Sequence, residues 1–78
     1  MTQDTNPDME AVGRRIRMLR ELADMTQESF AREVNRSQPA VSQWEKGRKM
    51  PDANTQFRVA DVLRVSRSNL FAELVGKS

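Results

Sequence analysis

An all-α fold, a compact domain of five short helices, is expected from three observations. Apolar residues recur at helical spacing, and no stretch alternates with the two-residue period of a strand. Asp24, Asn35 and Gly47 follow one another at short intervals, and these residue types tolerate the left-handed conformation that ends a helix. Side chains that cap helix N-termini stand ahead of the apolar runs, at Asn6, Thr26, Ser37, Asp52 and Ser66.

Helix one begins with Asn6 as cap, Pro7 at the first helical position and Asp8 in the first turn. Val12, Ile16, Leu19 and Ala23 form its apolar stripe, which sets its span at roughly 7–23. Asp24 breaks it. Thr26 caps helix two, with Gln27 and Glu28 in the first turn and Phe30, Ala31 and Val34 facing inward. Asn35 stops that helix and Ser37 caps the third. Pro39 falls in the first turn of helix three, where its missing N–H costs nothing. Val41 and Trp44 share one face, and Gly47 ends the helix. Met50-Pro51 is an extended entry to helix four, capped by Asp52. Phe57, Ala60 and Leu63 are expected on its inner face, with Val59 beside them. Ser66 caps helix five, which carries Leu70, Phe71 and Leu74.

At 78 residues the chain is one domain, near the lower limit for a self-sufficient core. Apolar residues make up 37% and charged residues 31%, a balance that suits a soluble helical domain better than a disordered tail. There is no cysteine and no histidine. Disulfides and thiol catalysis are thereby excluded, and the usual zinc ligand sets cannot be assembled. The commonest general base is missing too, so an enzyme is not expected. Neither is a metal, a cofactor or a small-molecule ligand. No apolar run approaches the roughly 20 residues that span a bilayer, and the polar, acidic start MTQDTNPD is not a secretory signal. A cytoplasmic protein without membrane contact is therefore expected. The net charge of +2 decides little, but its distribution says more. Arg14, Arg15, Arg17 and Arg20 crowd one segment and Lys46, Arg48 and Lys49 another, a clustering suited to phosphates.

Helix two, the tight bend and helix three have the pattern of a helix-turn-helix. The run MTQESFAREVNRSQPAVSQWEKGRKMPD resembles the lambda-repressor-like DNA-binding family, also called XRE or Cro type. The resemblance covers about residues 9–74. It rests on Thr26-Gln27-Glu28, Ala31, Val41-Ser42, Trp44-Glu45-Lys46-Gly47 and Pro51, each weak alone and specific in this order. The expected organisation is a flexible N-terminal arm over residues 1–6 and a helix-turn-helix DNA-binding domain over 7–75. Within the domain the motif spans about 26–46 and the recognition helix about 38–46.

By this resemblance the recognition helix enters the major groove and presents Gln38, Pro39, Ser42 and Gln43 to base edges. Helical spacing agrees, since these four share the face opposite Val41 and Trp44. A glutamine amide pairs bidentately with the adenine N6/N7 edge, a serine hydroxyl donates or accepts, and Pro39 offers apolar contact to a thymine methyl. Phosphate contacts are expected from Gln27, Arg36, Ser37, Lys46, Arg48 and Lys49. Thr26 either joins them or only caps helix two. About five or six neutralised phosphates per subunit would make affinity steeply salt-dependent. Trp44 is expected in the core between helices two and four, and the resemblance implies that Glu45 pairs with Arg20 as a structural tie. Both are read as structural and not as DNA contacts.

The family usually carries Gly at the positions of Asp24 and Arg64. Arg64 implies that helix four ends differently or runs on, and Ala53 and Gln56 imply a loosely packed entry to it. Met18 and Leu22 lie off the stripe of helix one; partial burial against helix five is the favoured expectation for them, and a partner surface, as the antitoxin alternative below requires, is the other. Val62, Val65, Leu70, Leu74 and Val75 exceed what one small core needs, and the resemblance implies a homodimer built through helices four and five. Such a dimer reads an inverted repeat with its recognition helices about one DNA turn, roughly 34 Å, apart.

The expected function is a sequence-specific transcriptional regulator that binds double-stranded DNA, without a sensor module in the chain. A phage repressor and a restriction–modification controller protein both fit. For a controller that activates, Glu28 and Glu33 are candidate contacts to RNA polymerase, although a solvated helix face explains them equally well. The alternative is an antitoxin that binds a toxin protein and represses its own operon. A third possibility, an adaptor that keeps the fold without binding DNA, is opposed by the glutamine-rich face and the basic loop.

Overall fold

The computed structural model describes residues 6–75; the arm expected over residues 1–6 lies outside them except for Asn6. The elements are α1 (Pro7–Leu22), α2 (Gln27–Glu33), α3 (Gln38–Glu45), α4 (Ala53–Leu63), α5 (Arg67–Leu70) and α6 (Ala72–Val75). Among the described residues there is no strand. The count is six and not five, because the last helix is interrupted at Phe71, whose φ of −109° and ψ of 31° depart from helical values. The break lets Phe71 turn fully into the core.

Each expected cap accepts a backbone N–H. Asn6 takes that of Asp8, Thr26 that of Ser29, Ser37 that of Ala40, Asp52 that of Thr55 and Ser66 that of Asn69. The stops also have the expected geometry, with φ of 63° at Asp24, 59° at Asn35 and 75° at Gly47. Arg64 is the fourth. It holds φ 61° and ψ 41° as the cap of α4, so the helix neither runs on nor ends differently from one closed by glycine; the side chain simply carries the strain.

Val12, Ile16, Phe30, Val34, Val41, Trp44, Val59, Leu70 and Phe71 are the main core residues. Helix α3 packs on α1 and α2, α6 packs on α1, and α5 packs on α4. Three expectations about burial are corrected. Phe57 is 58% exposed; the inner face of α4 is Thr55, Val59, Ala60 and Leu63, with Thr55 in the place expected for Phe57. The exposed Phe57 ring carries the Arg67 guanidinium 4.7 Å from its centroid. Met18 and Leu22 are 52% and 76% exposed and are not covered by the C-terminal helices. Those helices lie instead along the side of α1 that carries Arg15.

Two contacts fix α3 against α1. Gly13 is buried, and a Cβ there would stand 2.4 Å from the carbonyl oxygen of Trp44 and 2.7 Å from that of Glu45. A Cβ on Gly47 would stand 2.6 Å from Glu10 Cα. The end of α3 therefore rests directly on the backbone of α1, an approach that only glycine permits.

Candidate nucleic-acid interface

The turn between α2 and α3 is made by Val34 at the helix end, Asn35 in the left-handed conformation, and Arg36 leading to the Ser37 cap. The Arg36 N–H donates to Ala31 O at 2.9 Å, which closes the end of α2. On α3, Val41 and Trp44 are buried, while Gln38, Ser42 and Gln43 are half-buried and Pro39 is exposed. The four expected base-reading residues thus share one accessible strip, opposite the core residues of the same helix. Beyond α3 the chain is held by its own backbone, with the Arg48 and Lys49 N–H groups donating to Gln43 O at 3.0 and 3.4 Å. Lys46, Arg48 and Lys49 are exposed along this turn.

Behind the strip lies a buried ion pair. Arg20 Nε donates to Glu45 Oε2 at 2.6 Å and Arg20 Nη2 to Glu45 Oε1 at 3.2 Å. Arg20 Nη1 donates to Met25 O at 2.6 Å. The pair holds the start of the loop after α1 to the end of α3, and the hydrogen bond to Glu45 raises the Arg20 pKa. Gln27 is engaged at both ends of its amide in this arrangement. Its Nε2 donates to Glu45 Oε1 at 2.9 Å, and its Oε1 accepts from Gln38 Nε2 at 2.8 Å.

The other expected phosphate contacts divide in the same way. Thr26 accepts from Ser29 N and Ser37 accepts from Ala40 N, so both cap their helices. Arg36 donates to Asn35 O at 2.9 Å and to Thr55 Oγ1 at 2.8 Å, satisfying a buried hydroxyl on α4. The Asp52 carboxyl beside it is lowered in pKa, mainly by hydrogen bonds from Thr55 and less by Arg36.

Three arginines of α1, Arg15, Arg17 and Arg20, are paired with carboxylates, while Arg14 is exposed. Arg15 is bound to Glu73 by two hydrogen bonds of 2.9 and 2.6 Å and also donates to Leu70 O at 2.8 Å. These bonds push the Glu73 carboxyl down to about 2. Arg17 lies 3.3 Å from Glu21, one turn away on the exposed side. Nevertheless Arg17 reaches the interface. With Arg20, Gln27, Ser42, Glu45 and Lys46 it lines a cleft of about 250 Å³ between α1 and the recognition strip. The basic cluster expected to suit phosphates included Arg17, and its position three residues before Arg20 places it on the side of α1 that faces α3.

Of the residues expected at a dimer face, Leu70 is 1% exposed and belongs to the core. Val62, Val65 and Leu74 are half-buried and Val75 is exposed.

A helix-turn-helix family model matches residues 16–70, which include all of α2, α3 and α4. The chain belongs to the helix-turn-helix family, of the XRE, lambda-repressor-like type. This helix-turn-helix protein is similar to an uncharacterized HTH-type transcriptional regulator, YazB of Bacillus subtilis (strain 168). The two are 38% identical over 63 residues, which is 81% of this chain and 91% of that protein. Two crystal structures of the clp gene regulator ClgR from Corynebacterium glutamicum share the fold with a TM-score of 0.76 at 26% identity. The match covers 88% of this chain in both cases, and 73% and 88% of the ClgR chains. Among the described residues, no helix is long and apolar enough to cross a membrane.

Proposed function

We propose that the chain, a helix-turn-helix transcriptional regulator, binds an inverted-repeat DNA operator as a homodimer. The observation that carries this reading is the strip on α3. Gln38, Pro39, Ser42 and Gln43 are accessible on one side of a helix whose other side is anchored by Val41 and Trp44. Lys46, Arg48 and Lys49 continue from it in an exposed basic turn. Side chains that read base edges and side chains that neutralise phosphates thus adjoin, as major-groove docking requires. Gln27, Thr26, Arg36 and Ser37 border the strip on the α2 side. Those already hydrogen-bonded would contact phosphate only with their remaining capacity, and Arg17 joins them.

The dimer half of the proposal is supported by apolar side chains left outside the core in the C-terminal part: Phe57 and Val75 are exposed, and Val62 and Val65 are half-buried. In a two-fold pair these residues would be shared between subunits, with the recognition helices about 34 Å apart. Leu74 is half-buried against the core, and Leu70 serves the subunit's own core.

The exposed pair Met18 and Leu22 is compatible with a second reading, the antitoxin with a protein partner on α1, but does not favour it over the first. In vitro selection from random duplexes by the purified protein separates the two. Enrichment of an inverted repeat with half-sites one turn apart is expected. Salt-sensitive binding that enriches no motif would refute the operator reading and shift the weight to the toxin-binding one.

A further inference from the structure

We infer that Glu21 is an internal competitor for DNA phosphate: its carboxylate occupies the anion seat between Arg17 and Arg20 at the rim of the α1–α3 cleft, and DNA must displace it from Arg17 to dock. The inference rests on the reading above that Arg17 meets a phosphate.

The six side chains that line the cleft divide by what they already hold. Arg20, Glu45 and Gln27 satisfy one another, and Arg20 also donates to Met25 O. The cations left to face an incoming anion are Arg17 on α1 and Lys46 at the end of α3. Lys46 is exposed. Arg17 is held from its far side, with Nε 3.3 Å from Glu21 Oε2. The same oxygen lies 3.9 Å from Arg20 Nη2. One carboxylate oxygen thus stands between two guanidinium groups, in the kind of seat that takes a phosphate oxygen.

Helix stability does not account for this placement. In an i, i+4 pair the favourable order puts the acid on the N-terminal side, and here the arginine comes first. Glu21 also falls in the last turn of α1, which ends at Leu22, where a negative charge opposes the helix dipole. The pair is weak enough to give way, since its side chains are 64% and 54% exposed and such pairs contribute little in water. A phosphate entering beside Arg17 carries the same charge as Glu21, and like charges at contact distance repel. Arg20 keeps Glu45 throughout, so the exchange leaves the fold untouched. Glu21 turns to solvent while Arg17 closes on the phosphate opposite Lys46. Phosphate carries no sequence; Glu21 therefore lowers affinity for every duplex alike and leaves base preference to α3.

The test measures binding of the selected duplex and its base-substituted relatives by fluorescence anisotropy at moderate salt. The proteins are wild type, Glu21→Gln, Arg17→Gln, these two changes combined, and Glu33→Gln. All three side chains are exposed. Glu33 lines a separate cleft with Arg58 and Asp61 and controls for the loss of one negative charge. Glu21→Gln is expected to tighten binding about threefold per subunit, on every sequence, with base preferences unchanged and a smaller gain in the control. Without Arg17 the gain from Glu21→Gln is expected to shrink to the control's. A gain no larger than the control's in the wild-type background would overturn the inference. So would one kept in full without Arg17, which would assign the effect to general charge repulsion. Undiminished affinity in Arg17→Gln also overturns it, and Lys49→Ala still weakening binding would then leave the operator reading standing. If Lys49→Ala and Gln43→Ala are without effect as well, the interface is misplaced and both readings fall.

Discussion

Gly13→Ala sets two physical rules against each other. In the middle of an exposed helix, replacing Gly by Ala stabilises by about 0.8–1.0 kcal/mol through helix propensity. At Gly13 the added methyl would stand 2.4 Å from Trp44 O and 2.7 Å from Glu45 O. Both are backbone atoms at the end of α3, so no side chain can rotate out of the way. Carbon and oxygen must separate by several tenths of an ångström, and α3 can move only by lifting from α1. Overpacking of this kind costs about 1–3 kcal/mol, and its upper half applies where backbone meets backbone. Subtracting the propensity gain leaves a net loss of about 1–2 kcal/mol, or roughly 4–8 °C in Tm per kcal/mol for a domain of this size. Trp44 is the single tryptophan, so its fluorescence during urea and thermal unfolding reads the result at the contact itself. Stability raised by the ordinary helix amount would refute the close crossing of α1 and α3.

Glu45→Ala leaves the Arg20 guanidinium buried without its partner and is expected to cost about 3–5 kcal/mol, measured by urea denaturation. Arg64→Gly removes the left-handed penalty of about 1–2 kcal/mol but adds the backbone entropy of glycine, so a gain of about 0.5–1 kcal/mol is expected as a higher Tm. Glu73 is held at about 2 against an ordinary 4.5, chiefly by the Arg15 hydrogen bonds. Its stabilising contribution is therefore complete above pH 4.5 and is lost as pH falls through about 2. Glu73→Gln should flatten the stability profile across that window, which acid titration followed by circular dichroism would show. For DNA, Gln43→Ala should relax preference at one position, while Lys49→Ala should weaken all sequences alike and reduce the salt slope of binding by about one.

What could be read from the sequence was what depends on neighbours in the chain. Asp24, Asn35 and Gly47 stop helices because of their own backbone tolerance, and each cap acts on an N–H two or three residues ahead. Features set by distant packing were not legible. Thr55 looks like a surface residue until Arg36, from the preceding motif, is seen to satisfy its hydroxyl; taking the apolar Phe57 for its place shifted the inner face of α4. Met18 and Leu22 suggested burial by their chemistry, but the docking of α6 on Arg15 leaves them uncovered. Nothing around Gly13 announces that another helix rests on it. At the interface, the strip on α3 followed from helical spacing, whereas the tie between Gln38, Gln27 and Glu45 joins residues from three separate turns of chain. The polarity of the two glutamines suggested only solvent or DNA, and for Glu45 the resemblance implied only the tie to Arg20.

The most direct test is backbone amide NMR during titration with the selected duplex. The account predicts the largest shift changes over residues 26–27 and 36–49, with Arg17 joining them and α6 unaffected. Changes centred on Met18 and Leu22 or on the C-terminal helices, with α3 unperturbed, would contradict it.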